Sequence, residues 1–204
     1  MKNKADIIWL DKAESSNDEA RKAIYSLDKL SVIAVRCQTK GRGQGTHIWE
    51  TSPGKNLTFS IVLKDLEILP SEQIAISQIT ALSVVDYLAL HGISAKIKLP
   101  NDIYVGNKKI CGILIENSIC SNRLVWSIIG IGINVNQAVF PASLPNPTSV
   151  LLESGQPELN LDLQLSKFHQ IFSTYYFEYL SCKNEDKLAE LAQIFTSKAF
   201  STTH

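Results

Sequence analysis

The chain has 204 residues, 45% of them hydrophobic and 20% charged, ordinary usage for a soluble globular protein that excludes disordered, collagen-like and supercharged classes. Lys plus Arg number 20 and Asp plus Glu number 20, so the chain as a whole attracts neither nucleic acid nor an anionic membrane, and any anion site is built locally. Cys37, Cys111, Cys120 and Cys182 form no CxxC pair and no Cys/His cluster. That argues against a disulfide framework or zinc site and points to a reducing, cytoplasmic setting. The start, MKNKADIIWLDK, has no signal-peptide core, and no stretch approaches the roughly 18 apolar residues of a membrane span.

In chain order, Ile7 to Leu10 reads as a strand, and Ser16-Asn17-Asp18-Glu19 reads as a capping box, Ser16 its N-cap, opening a helix to about Leu27. Val32 to Gln38 is a β-branched strand. A glycine-rich segment, Thr39 to Gly54, reads as a loop before the strand Asn56 to Leu63. From Ser71 the spacing Ala75, Ile79, Leu82, Val85, Ala89 follows the 3.6 period and predicts a helix that Gly92 ends. A strand at Ala95 to Lys98, the turn Pro100-Asn101-Asp102 and a hairpin through Gly106-Asn107 follow. The apolar strands Ile110 to Glu116 and Leu124 to Val135 are joined at Ser121-Asn122. Phe140 to Pro147 is a loop, and Leu161 to Leu180 and Lys187 to Phe195 are helical. Helices interleaved irregularly with hairpins predict an α+β fold with a mixed β-sheet and helices packed on it.

Chemistry-bearing residues fall in a few places. Gly41-Arg42-Gly43-Gln44-Gly45 offers bare backbone N–H groups and a guanidinium able to fork onto phosphate or carboxylate oxygens, or it is a flexible surface loop. It fits neither the Walker nor the dinucleotide-binding spacing. Trp49, closing that segment, could cover a planar ligand or anchor the loop. Lys98-Leu99-Pro100-Asn101-Asp102 and Lys108-Lys109 read alone as turn and hairpin-tip residues. Lys109, however, opens an apolar strand that carries its stem inward while its charge seeks an anion. Gly130-Ile131-Gly132-Ile133-Asn134 places two glycines in an apolar strand, a sign of close approach by another group, with Asn134 a polar reader at its end. Ser15, Ser16 and Asn17 precede a helix start, where N–H groups favour polar or anionic ligands. His47, His91, His169 and His204 have no metal spacing and read as surface or loop histidines.

Taken in order, Ser15-Ser16-Asn17, Gln38 with Gly41-Arg42-Gly43, Trp49, Lys98-x-Pro100-Asn101-Asp102, Lys109-x-x-Gly112-Ile113-Leu114 and Gly130-Ile-Gly-Ile-Asn134 resemble the catalytic domain of biotin protein ligases. The likeness covers about residues 7 to 152, and Asn146-Pro147-Thr148-Ser149 also fits it. It implies a fold of the biotin and lipoate ligase type, like that of class II aminoacyl-tRNA synthetases. It also implies a two-step, ATP-dependent biotin–[acetyl-CoA-carboxylase] ligase: the biotin carboxylate attacks the α-phosphate of ATP, and a lysine of a biotin carboxyl carrier protein attacks the biotinyl-5'-AMP. By this resemblance Lys109 and Arg42 are the catalytic cations. Ser15, Ser16, Asn17, Gln38, Gly41, Arg42, Gly43, Gln44, Lys109 and Gly112 bind biotin. Trp49, Lys98, Asn101, Asp102 and Asn134 lie on the nucleotide side, and the loop orders over the adenylate. ATP and Mg²⁺ are implied with no assigned metal ligands, and the edge strands of a mixed sheet offer a route to a homodimer.

Three departures stand out. Gln44 and Thr46 replace the arginine and glycine usual in the loop, which predicts weaker retention of the adenylate, and Leu99 replaces a tryptophan. The resemblance puts a single catalytic domain on residues 1–204, its last helices at about 161–196. It leaves no room for an N-terminal helix-turn-helix, hence no nucleic-acid partner, and no small C-terminal β-barrel. Lipoate protein ligases are the nearest enzymatic rival, but their Arg-Arg and triple-glycine segment is absent; a non-catalytic biotin or adenylate binder is the rival from another class.

Overall fold

The computed structural model describes residues 6–64, 69–100, 102–181 and 185–200. The chain forms two compact units, Met1–Ser71 with Ile113–Ile133, and Glu72–Gly112 with Asn134–His204.

In the first unit, β1 (Ile7–Ala13) runs parallel to β2 (Val32–Gln38), with α1 (Ser16–Lys22) on the crossover. β3 (Leu57–Lys64) is antiparallel to β2 and to β7 (Arg123–Ile133), in a register that sets Ser60 opposite Gly130. The later part of β6 (Lys108–Cys120) follows β7 in the strand order. β6 and β7 are joined at Ser121 (φ 48°) and Asn122 (φ 60°), the pair of left-handed residues that a tight two-residue hairpin demands. Ala20, Ile24 and Leu27 pack on Ile33, Val62 and Ile128, forming the core beneath this face. α1 is shorter than its sequence predicts. The chain turns after Lys22, and the Lys64 ammonium donates to the carbonyls of Ile24 (3.1 Å) and Leu27, so a cation from a strand satisfies the turn that follows the helix.

In the second unit, β4 (Lys96–Lys98), β5 (Asp102–Val105) and the start of β6 form successive antiparallel pairs. α2 (Gln73–Ala89), α3 (Val150–Ser154), α4 (Leu161–Ser181) and α5 (Glu185–Lys198) complete it. α2 is the helix that its spacing predicts, buried on more than the one periodic stripe. Ile76, Thr80, Ser83 and Val84 are buried as well as Ile79 and Leu82, whereas Ala89 is exposed, because α4, α5 and strands β4 and β5 surround it. Its Thr80 and Ser83 hydroxyls are accommodated there by donating to the carbonyls of Ile76 and Ile79. α4 does carry one apolar stripe, Leu161, Leu165, Phe168, Phe172 and Tyr176, with the last three rings at 6.5 Å and 6.2 Å spacing. The parallel pair beside antiparallel strands makes the sheet mixed and the architecture α+β, as expected. No helix among the described residues is long and apolar enough to cross a membrane.

Candidate functional site

The glycine-rich segment is not an irregular loop. Arg42 and Ile48 form a β-bridge, Gly43 N–H donates to His47 O (2.8 Å) and Trp49 N–H to Gly41 O (2.9 Å), while Gly45 turns the chain with φ +64°. Residues 41–49 are therefore a small hairpin. A cavity of about 560 Å³ lies between this hairpin and Leu114 and Glu116 of β6.

One polar network leads inward from that cavity. Arg42 Nη1 and Nη2 donate to the Glu116 carboxylate (3.2 and 2.8 Å), and Nη2 also stands 2.9 Å from Asp18 Oδ1. Glu116 accepts in addition from Arg21 and from Asn17 Nδ2 (2.8 Å). The Asn17 Oδ1 accepts from Ser60 Oγ (2.5 Å), which lies 2.8 Å from Ser16 Oγ, and Ser16 N–H donates to Gln38 Oε1 (2.9 Å). Burial raises the pKa of Glu116, but the Asn17 amide and the Arg42 and Arg21 guanidiniums outweigh it and hold the carboxyl below its ordinary value.

The structure thus brings together Ser16, Asn17, Gln38 and Arg42, four of the residues expected around biotin. Ser16 is not the N-cap. Ser15 holds that position in extended conformation, without a side-chain capping bond, and accepts from Glu19 N–H through its carbonyl. This frees the Ser16 hydroxyl for the network. Gln44 is exposed at the hairpin tip, where its carbonyl accepts from His47 N–H.

The two glycines of β7 explain themselves here. A Cβ on Gly130 would collide with the Asn17 carboxamide and one on Gly132 with the Trp49 indole, so bare backbone is what lets both side chains lie on the strand. A Cβ on Gly41 would likewise strike the Trp49 carbonyl.

In the second unit, Lys109 Nζ pairs with Asp102 Oδ1 at 2.6 Å, Asp102 lying opposite Gly112 across β5 and β6. The Lys109 main chain bonds to Asn146 O (2.8 Å) and Thr148 N–H (2.9 Å), fixing the Asn146-Pro147-Thr148-Ser149 segment along the strand start. Asn134 is buried and donates Nδ2 to Thr148 O (2.9 Å), which leaves its Oδ1 as a buried acceptor with no hydrogen-bond partner among the described residues. Lys98 is exposed, its ammonium 4.8 Å from the Tyr104 ring centroid. Asn101 lies outside the described residues, as do Cys182 and His204.

Sequence reasoning missed Glu116 and Ser60. Their signals were a charge at the end of an apolar strand and a hydroxyl inside Leu-Thr-Phe-Ser-Ile-Val-Leu. His91 does lie in a turn, after α2, as a surface-or-loop reading allows, but it is buried rather than at the surface. Its Nε2 lies 3.1 Å from Gln164 Oε1, which also accepts from Tyr87 OH, and burial beside an amide is tolerated because the ring is hydrogen-bonded. Cys111 is buried, and desolvation pushes its thiol pKa up, away from nucleophilic use.

Residues 11–134 match the model of the biotin/lipoate A/B protein ligase family. The chain is 32% identical over 155 residues to the bifunctional ligase/repressor BirA of Bacillus spizizenii, covering 74% of this chain and 47% of that protein. It is 33% identical over 171 residues to the biotin–[acetyl-CoA-carboxylase] ligase of Paracoccus denitrificans, covering 78% of this chain and 70% of that one. Among solved structures, biotin protein ligase from Aquifex aeolicus in complex with biotin and ATP superposes with a TM-score of 0.72 at 26% identity, over 85% of this chain and 71% of that chain. The chain spans about half the length of the first curated relatives it matches. By sequence model and by fold, the chain belongs to the biotin/lipoate A/B protein ligase family.

Proposed function

We propose that this chain is the catalytic part of a biotin protein ligase acting on a cytoplasmic biotin carboxyl carrier protein. In the first step a biotin carboxylate oxygen bonds to the α-phosphorus of ATP, and the bond to the β-phosphate oxygen breaks to release pyrophosphate. In the second, the amine of a carrier lysine bonds to the acyl carbon of biotinyl-5'-AMP, AMP leaves, and the amine gives up a proton. No covalent enzyme intermediate is required.

The observation that carries this reading is the network of Ser16, Asn17, Gln38 and Ser60 behind the hairpin. A cyclic urea has two N–H donors and one carbonyl acceptor, and hydroxyl and carboxamide groups can meet both demands. The dithiolane of lipoate offers no such partner, so the network favours biotin over lipoate. Ser15, Gly41, Gly43, Gln44 and Gly112 complete the biotin side in this reading, the glycines through their backbone.

Two anions must approach each other in the first step, and fixed cations lower that cost. Lys109 takes that role at the carboxylate and α-phosphate, with Asp102 holding its ammonium at 2.6 Å. Arg42 holds the acyl-phosphate, and the preformed hairpin keeps water from it. Asn134 Oδ1, buried without a hydrogen-bond partner among the described residues, suits the exocyclic amine of adenine. Trp49, Lys98, Asn101 and Asp102 serve the nucleotide. The Mg²⁺ belongs to the substrate, since such ions keep water and phosphate ligands and need only one or two carboxylates; among the described residues no three His, Cys, Asp or Glu side chains gather into a metal-binding group.

The deciding assay is ATP–pyrophosphate exchange with magnesium, run with biotin, with lipoate and with neither. Exchange that needs biotin establishes adenylation, and transfer to a carrier domain tests the second step. Exchange with lipoate reassigns the acid, and no exchange with either leaves a binding protein.

A further inference from the structure

We propose that Glu116 is a positioning residue that sets the place of Arg42 and Asn17 together, tying the glycine-rich hairpin to the acid-binding network through a single carboxylate. Its two oxygens accept from four donors on two segments: both Nη atoms of Arg42 on the hairpin, and Nη2 of Arg21 and Nδ2 of Asn17 on α1. A carboxylate has about four lone-pair sites, so Glu116 is saturated. The second partner of Arg42, Asp18, meets one nitrogen only and is more exposed, with 33% of its side chain accessible against 21% for Glu116. Glu116 is therefore the anion that fixes the guanidinium plane.

That plane has consequences for chemistry. Of five N–H donors on a guanidinium, Arg42 gives two to Glu116, with Asp18 an ion-pair partner 2.9 Å from Nη2, and retains the others. Holding the guanidinium plane in place pre-orients the remaining donors, which is what positioned binding of an acyl-phosphate requires. The same carboxylate fixes which way the Asn17 carboxamide faces, because its Nδ2 is committed to Glu116 and its Oδ1 to Ser60. Movement of the hairpin and reorientation of Asn17 thus share one joint. What Arg42 holds rests on the adenylation reading above; where Arg42 stands does not.

The test compares full-length wild type, Glu116→Gln and Glu116→Asp. Glutamine keeps the shape but loses the charge and sets an amide N–H₂ against donors, whereas aspartate keeps the charge. In Glu116→Gln, hydrogen exchange at the hairpin amides of Gly43 and Trp49 should quicken about tenfold, the effect of opening made easier by the loss of one charged hydrogen bond, while the Val62 amide, bonded to Ser31 O, keeps its rate. In pyrophosphate exchange, KM for biotin should rise about tenfold, with kcat changing less, and Glu116→Asp should recover part of both effects. Wild-type hairpin exchange in Glu116→Gln overturns the proposal. So does an equal loss of hairpin and Val62 protection in both variants, the mark of a merely structural carboxylate. Should wild type show no biotin-dependent exchange, the adenylation reading fails, and the hairpin amides alone then decide the role of Glu116 by the same criterion.

Discussion

Replacing Gly130 with alanine adds one methyl group to β7, and the structure predicts the sign of its effect. In the middle of an open strand this change would stabilise by about 0.5–1 kcal/mol, because alanine has less backbone freedom to lose. Here the new Cβ meets the Asn17 carboxamide, contacting Oδ1, Cγ and Nδ2. The carboxamide has no easy retreat, since Ser60 holds its oxygen at 2.5 Å and Glu116 its nitrogen at 2.8 Å. Asn17 is buried, so a displaced amide is not compensated by water. Overpacking costs about 1–3 kcal/mol, and a hydrogen bond to a charged group about 1.5–3 kcal/mol. Less the glycine gain, the net loss is about 2–5 kcal/mol, or on the order of 10 °C in Tm for a chain of this size. Thermal and urea unfolding of the variant measure it, with biotin titration calorimetry alongside to register the displaced Asn17. Stability equal to or above wild type would mean that Asn17 does not lie on Gly130, and the account of the network would fall with it.

Lys109→Ala should abolish biotin-dependent pyrophosphate exchange while leaving the far-ultraviolet circular dichroism unchanged; near-normal turnover would remove its assigned role. Arg42→Ala should weaken binding of an adenylate analogue about 10- to 100-fold, the loss of a charge-assisted contact. Its effect on unfolding should stay within about 1 kcal/mol because its ion pairs are largely exposed; unchanged affinity in calorimetry would count against it. Lys64→Met removes the ammonium that caps the carbonyls of Ile24 and Leu27 and should cost about 1–2 kcal/mol in urea unfolding, and no change would show those carbonyls to be satisfied otherwise. Glu116 has a native pKa below its ordinary value of 4.5, so its contribution to stability is complete above that value and is lost as pH falls through the lowered native one. Stability followed from pH 6 to pH 2 should therefore fall less in Glu116→Gln than in wild type, and parallel curves would refute the sign.

Much of the fold was legible because its elements follow simple periods. β2 occupies Val32–Gln38 as read, and the turns at Gly106-Asn107 and Ser121-Asn122 carry the positive φ angles that mark a tight hairpin. α3 was not legible. Five residues are too few to show a helical period, although Ser149, which accepts from Leu152 N–H, and Gly155 at φ 65° bracket it as cap residues should. Choosing Ser16 over Ser15 as N-cap failed because adjacent serines carry the same capping chemistry. The extended φ and ψ that decide between them come from the end of β1. The site was legible in its residue types and hidden in its joints. Asn17 and Arg42 meet through Glu116, 99 and 74 residues further on, and no local pattern reports a contact at that range. The hairpin was hidden because its glycines mask the ladder between Gly41 and Trp49, which is made by backbone alone.

The ion cluster at the hairpin base has a kinetic corollary. Arg21 and Arg42 stand against Asp18 and Glu116, so the cluster is electrically balanced on a chain that is itself neutral. Seen from farther than a Debye length, about 8–10 Å in physiological salt, it exerts almost no pull on an approaching anion. Encounter is then governed by ordinary diffusion, with little dependence on ionic strength. Discrimination among nucleotides and acids falls to what happens after contact, when a ligand of the right geometry either does or does not engage the guanidinium donors that the carboxylates leave over.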